Sequence, residues 1–271
     1  MKRRQKKAIA EALKILLGII IMFPLIVMVI TATMPKADVL GFPFQLSLKN
    51  PTLENFIYVF RYLDVMTYLK NSFIVIAVCV PCQIITALLA AYGFAYFDFP
   101  LKKTLFTLLL MSMMIPGEVV IMTLFKMMVS WNLVNTYASL IVTHLVSVGA
   151  MFMLRQNMLS LPRSLWEAAR MDGCGYMRYL VRILAPLCKP LIAARVLESF
   201  IFTYNSHLWP LLVTTTNSMK TVQVGVASLT GAQHYGIVLA AASVVLIIPV
   251  LLFIFGMDKI SEGLTAGAVK S

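Results

Sequence analysis

The chain of 271 residues is 60% hydrophobic and 13% charged, where an ordinary globular domain carries roughly 45–50% apolar and about 25% charged residues. That balance excludes a water-soluble globular fold and makes lipid the solvent. A net charge of +12 would point to nucleic acid in a soluble protein, but here the basic residues flank apolar runs, which fits a membrane surface and no nucleic-acid partner.

A helix crossing the hydrocarbon core needs about 20 mostly apolar residues. Six runs qualify, near 12–34, 70–97, 104–129, 136–157, 190–213 and 237–257. The expected fold class is an all-α membrane protein with six transmembrane helices, forming a single domain over 1–271. The first run follows Lys2, Arg3, Arg4, Lys6 and Lys7 as a signal peptide would. It is longer than a typical signal core and no small-residue cleavage site follows, so it reads as a retained anchor. The stretch 35–66 is turn-rich, with Pro35, Gly41, Pro43, Asn50 and Pro51, and has no periodicity of its own. In the second run, Cys79-Val80-Pro81-Cys82 spells CxxC without a nearby His, Asp or Glu. It reads as two thiols buried beside a proline kink, not as a metal or redox site. Cys174 and Cys188 fall in a segment placed in the cytoplasm, where thiols stay reduced.

Pro116-Gly117 interrupts the third run, and Glu118 follows the interruption. An ionisable group there is expensive in lipid and marks a candidate substrate path, where a broken helix exposes backbone to water. In the fifth run, Glu198, Phe202, Asn205 and Trp209 are spaced four, three and four apart and share one helical face. A stripe of aromatic and hydrogen-bonding groups suits a sugar, whose ring face stacks while its hydroxyls bond. The bland alternatives are that Glu198 pairs with Arg195 three residues away, that Trp209 anchors at an interface and that Asn205 joins two helices. His144 and His207 have no metal-ligand company and read as packing or hydrogen-bonding residues. The segment 214–236 opens with the polar run Thr214-Thr215-Thr216-Asn217-Ser218 and reads as an outer connector.

Lysine and arginine set the orientation. With the N-terminus inside, all but six of the 23 basic residues fall on the inner side; the six are Lys36, Lys49, Arg61, Lys70, Lys126 and Lys220. Both termini are expected in the cytoplasm.

Residues 158–189 are too polar to span and too patterned to be a linker. They read as two short helices. The first starts after Pro162 with Ser164 as N-cap and Glu167 as its capping-box partner. Gly173 and Gly175 break it, and a second helix runs from Tyr176 to Pro186. From the residues alone, the segment is either an amphipathic element on anionic headgroups or a docking surface for a cytoplasmic partner.

Glu167-Ala168-Ala169, then Gly173 after three residues, Ile183 after nine more and Ala185-Pro186 resembles the EAA loop of ABC importer permeases, patterned EAA-x3-G-x9-I-x-LP. Ala185 stands where the family has Leu. The resemblance continues through Asn71-Ser72-Phe73, Ala91-Tyr92-Gly93-Phe94-Ala95, Met114-Ile115-Pro116, Leu208-Trp209-Pro210-Leu211 and the tail Gly263–Lys270. Together these are similar to the smaller permease subunit of carbohydrate importers of the maltose type. The resemblance implies that Glu167, Ala168, Ala169, Asp172, Gly173, Ile183 and Pro186 form the coupling site for an ATPase subunit. It also implies a second homologous permease, an ABC ATPase dimer and an extracytoplasmic solute-binding protein as partners. The setting would be a bacterial or archaeal inner membrane and the cargo a carbohydrate, with glycerol-3-phosphate or a related phosphodiester as the alternative.

The chain has no G-x-x-x-x-G-K-[ST] phosphate loop. ATP and magnesium are therefore expected in the partner, and no cofactor, metal or catalytic residue here. An ion-coupled secondary transporter would show an internal repeat with paired interrupted helices, and an intramembrane enzyme would show a nucleophile with its base or a metal cluster. Neither pattern is visible.

Overall fold

The computed structural model describes residues 2–41, 46, 49–229 and 234–265, with side chains between 9 and 254. Among the described residues all regular secondary structure is helical. Besides short helical turns that include Lys36–Val39 and Ala185–Leu187, it forms in order α1 (Lys2–Ala32), α2 (Glu54–Tyr62), α3 (Val65–Tyr96), α4 (Lys102–Ser112), α5 (Gly117–Ser130), α6 (Tyr137–Ile141), α7 (Val148–Leu159), α8 (Ser164–Met171), α9 (Tyr176–Tyr179), α10 (Lys189–Tyr204), α11 (Leu208–Val213), α12 (Val222–Ala227) and α13 (Tyr235–Thr265).

Four segments are long and apolar enough to cross a membrane: Ile9–Ala32, Val65–Tyr96, Tyr137–Leu159 and Tyr235–Ile254. A fifth requires α4 and α5 together, which are bent by 95° across a short break. The break falls at Met113–Pro116, where Pro116 can neither continue the α4 ladder nor let Ile115 adopt helical geometry easily, and instead caps α5. The expected run 190–213 is where structure and sequence part. α10 has only 16 residues and stops at Tyr204, and α11 starts afresh at Leu208. Pro210 has no N–H to donate, so it suits the first turn of a new helix, which is where α11 holds it.

The chain divides into two compact units, 1–66 with 225–248, and 67–224 with 249–271. In the first, the connector read as plain turns contains α2, whose Asn55 is buried. Its Nδ2 donates to the carbonyls of Ala32 and Met34, each at 2.9 Å, closing the end of α1. A Cβ at Gly236 would lie 2.8 Å from that same nitrogen, so a larger residue at the start of α13 would displace the Asn55 amide.

The second unit is fastened by amides at its helix breaks. Asn71, buried near the start of α3, donates to the carbonyls of Ser218 (2.8 Å) and Lys220 (2.9 Å) and accepts from the Tyr137 hydroxyl (2.6 Å). The neighbouring Ser72 hydroxyl accepts from the Val222 N–H at 2.9 Å. Asn135, at φ 61°, presents its Oδ1 to the N–H groups of Thr215 and Thr216; Asn is among the few residues that tolerate this conformation. One apolar cluster gathers Val75, Cys79, Met128, Leu140, Trp209 and Val213. A second joins the end of α3 to α7 and to the 158–189 segment. Cys79 is fully buried and Cys82 half-buried, and both are free thiols.

Asn71→Ala should leave two carbonyls and the Tyr137 hydroxyl short of partners, lowering stability by about 1–3 kcal/mol. Asn71→Asp should also destabilise, because the carboxylate keeps the tyrosine bond but offers no N–H. Thermal unfolding in detergent micelles measures both.

Candidate functional site

The 158–189 segment is built on a helix with a structured end. α8 begins at Ser164 itself, with Arg163 in the capping position and no side-chain cap. The expected Ser164–Glu167 capping box does not form, because the carbonyls of Pro162 and Arg163 already accept from Leu165, Trp166 and Glu167, so the first turn starts a residue early. At the other end, Asp172 is the C-cap and Gly173 adopts φ +72°. The Gly173 N–H donates to Arg170 and the Cys174 N–H to Ala169, the double closure of a Schellman motif. Gly175 then enters α9 in extended conformation. Residues 180–184 form a π turn before Pro186. That wider turn accommodates a residue that lacks an N–H and whose ring would strike the carbonyl four positions back.

Burial divides α8 into two faces. Ala169 is buried in the cluster with Tyr92, Leu154, Met158, Tyr179, Leu184 and Cys188. Glu167, Ala168, Asp172 and Gly173 are exposed, and Met171 stands 89% exposed at the helix tip. Ile183 packs half-buried on the cluster, and Pro186 is exposed. Small Ala169 sits where a larger side chain would hold the helix off its support.

An aromatic cage ties this loop to the end of α3. Trp166 meets Tyr96, Tyr176 and Tyr179 with ring centroids 5.8, 5.3 and 4.7 Å away. The Tyr92 hydroxyl donates to the Tyr176 carbonyl at 3.2 Å. Arg170 lies over both Trp166 (5.5 Å) and Tyr176 (5.2 Å), closing the cage with a cation–π contact. Arg155 of α7 stacks on Phe106 at 4.1 Å and donates from Nε to the Phe94 carbonyl.

The intramembrane candidates separate. Glu198 and Phe202 line a cavity of 660 Å³ with Gln83, His144, Ser147 and Arg195. They also line a neighbouring groove of 620 Å³, where Asn205 joins them. Glu198 forms an ion pair with Arg195. Trp209 does not share the stripe: it is buried, and its Nε1 donates to the Ser139 carbonyl at 2.9 Å. Helical spacing places residues on one face only while the helix is continuous, and the break at 205–207 cancels the count for Trp209. Glu118 is exposed in the first turn of α5 and lines neither cavity. His144 shares a hydrogen bond with the Thr143 hydroxyl, and His207 is exposed. Among the described residues no cluster suits a metal ion.

Residues 83–263 match the family described as binding-protein-dependent transport system inner membrane component. The chain belongs to this family. The permease is 33% identical to the arabinooligosaccharides transport system permease protein of Halalkalibacterium halodurans, over the whole of both chains. It is 32% identical to the protein of that name from Bacillus subtilis, covering 94% of this chain and 92% of the other. It is also 32% identical to the sn-glycerol-3-phosphate transport system permease protein of Yersinia pestis bv. Antiqua, covering 89% of each. A crystal structure of a bacterial ABC transporter involved in the import of the acidic polysaccharide alginate contains a chain that superposes with a TM-score of 0.84, covering 95% of this permease and 97% of that chain. At 16% identity it speaks to the fold alone. The chain is thus a multi-pass membrane permease and a transport subunit, with relatives that are not enzymes.

Sequence reasoning passed over two elements of the site. Gln83, whose Nε2 donates to the His144 carbonyl at 2.6 Å, was legible as a lone amide in an apolar run. The cage was visible only as scattered aromatics, because Tyr92 and Trp166 are 74 positions apart.

Gly173→Ala should cost about 1–2 kcal/mol. Nothing crowds a Cβ there, so the loss is purely conformational and Gly173→Asn should be milder; thermal unfolding ranks them. Burial pushes the Cys188 thiol up to about 11, so its reactive thiolate is scarce at pH 8, whereas Cys174 is half-buried. Iodoacetamide at that pH should label Cys174 well before Cys188, as peptide mass spectrometry would report, and Gly173→Pro should narrow the difference.

Proposed function

We propose that this permease is one of two paired permeases in an ABC importer that carries an oligosaccharide inward, and that residues 158–189 are its coupling loop. The observation that carries this is the two-faced α8. One face is anchored through Ala169 and the aromatic cage to α3 and α7, and the other presents Glu167, Ala168, Met171 and Asp172 outward. A helix held rigidly on one side and bare on the other transmits a push. Here the push is closure of a partner ATPase dimer, which binds the ATP and magnesium that this chain has no loop to hold.

In this reading the chain crosses the membrane six times. The bent pair α4–α5 is one crossing, and α10 with α11 completes another. Both termini and the coupling loop face the cytoplasm, in keeping with the lysine and arginine bias. A solute-binding protein delivers cargo on the opposite side, near the strap 214–222 that Asn71, Ser72 and Asn135 hold in place. The alginate importer has been seen in complex with a periplasmic protein bound to an alginate pentasaccharide, which supports such a partner. Oligosaccharide is favoured as cargo by the arabinooligosaccharide relatives, whose similarity extends over the full chain. The second reading, the same machinery carrying glycerol-3-phosphate, has the Yersinia relative behind it.

Met171→Glu should leave the permease folded and inserted, since that side chain touches little of its own chain, yet abolish co-purification with the ATPase and uptake of labelled arabinotriose. Retention of the ATPase at wild-type level would exclude α8 as the docking element.

A further inference from the structure

The cavity beside α10 contains an arrangement that the coupling loop does not use. Arg195 is 9% exposed. One Nη donates to Glu198 and lies 3.5 Å from the Met153 sulfur, while its Nε has no hydrogen-bond partner among the described residues. Gly149 faces the guanidinium: a Cβ there would come within 3.7 Å of the other Nη. Glu198 keeps 60% of its side chain open beside the cavity. Gln83, His144 and Ser147 add neutral polar groups, and Phe202, whose ring lies 6.4 Å from that of His144, adds an apolar wall.

We infer that Arg195 and Glu198 form a cargo subsite in this chain, selective for an uncharged polyhydroxylated ligand over a phosphate ester. This rests on the carbohydrate reading above and adds to it the residues that discriminate. A guanidinium only donates and a carboxylate only accepts. A pair of sugar hydroxyls does both, so it bonds to the two charged groups at once and leaves the ion pair intact. An ionised phosphate group only accepts. It can bond the guanidinium only with the Glu198 carboxylate beside it, and like charges brought together in a site of reduced dielectric oppose binding strongly. Among the described lining residues one arginine faces one carboxylate, so the cavity offers no surplus cation for an anion. Phe202 supplies the stacking surface that a sugar ring uses and a small phosphate ester does not.

The test uses the assembled complex of both permeases and the ATPase in lipid nanodiscs, without nucleotide or binding protein, titrated calorimetrically with arabinotriose and with glycerol-3-phosphate. Wild type should bind the trisaccharide at least about tenfold more tightly than the phosphate ester. Glu198→Gln frees the guanidinium and should reverse that order. The double variant Arg195→Met/Glu198→Leu removes both charges together, so that the buried Arg195 is not left without its partner, and should assemble normally while losing about tenfold in trisaccharide affinity. Trisaccharide preference that neither variant alters overturns the subsite and leaves the carbohydrate reading standing. Wild-type preference for the phosphate ester overturns both. Binding of neither probe overturns the subsite, and ATP-driven uptake of arabinotriose into proteoliposomes then decides the carbohydrate reading separately.

Discussion

Lipid offers no hydrogen bonds, so an interruption of a helix within the membrane has to be closed by the protein itself. The interruptions are many, and at several of them an amide side chain performs the closure. Asn55 completes the end of α1, Gln83 reaches the His144 carbonyl where α6 gives way to α7, and Asn71 holds the strap after α11. Asparagine and glutamine suit this because one side chain carries both donors and an acceptor without a charge to desolvate. Once the breaks are closed, short helices become stable in positions that continuous spans could not reach, and the cavity beside α10 exists because its walls bend there.

The same constraint explains what the sequence discloses. Hydropathy marks where backbone must be helical, and α1, α3 and α13 lie close to the runs read from composition. Pro116-Gly117 was legible as a place where the third run could break, but a proline alone does not announce a bend, since Pro24, Pro81 and Pro249 lie inside continuous helices. The interruption at Asn205-Ser206-His207 involves no glycine, and the proline comes five residues after its start, so a period of 3.6 ran through it and carried Trp209 onto a face it does not share. Connector helix α2 escaped notice for another reason. Its buried side is only Asn55 and Val59, and it is stabilised by bonds to α1 that no window of sequence contains.

The loop at 158–189 was legible to a different degree. Gly173 declares itself, since a left-handed residue ending a helix favours glycine, and the Glu-Ala-Ala run identifies the loop by resemblance. Its mounting is not declared. Tyr92, Tyr96 and Trp166 become neighbours only when α3 and α8 pack, and a long-range pairing leaves no periodic trace. Likewise Arg195 and Glu198 are visible as an i, i+3 pair, but that both border a cavity follows from the bending of α4 against α5 and from the glycine at 149.

The π turn at 180–184 has a consequence for how the loop communicates with α10. A π turn accommodates one residue more than the α-helical turn it replaces, so the chain on its two sides runs in two different angular phases. The coupling segment and the cavity wall are therefore not one rigid rod with a common set of faces. Removing a residue within 180–184 would convert the wide turn to an ordinary one and bring the two sides into a single phase, swinging the Arg195 face relative to α9 by about 100°. The orientation of the cavity toward the loop is thus set by the width of one turn.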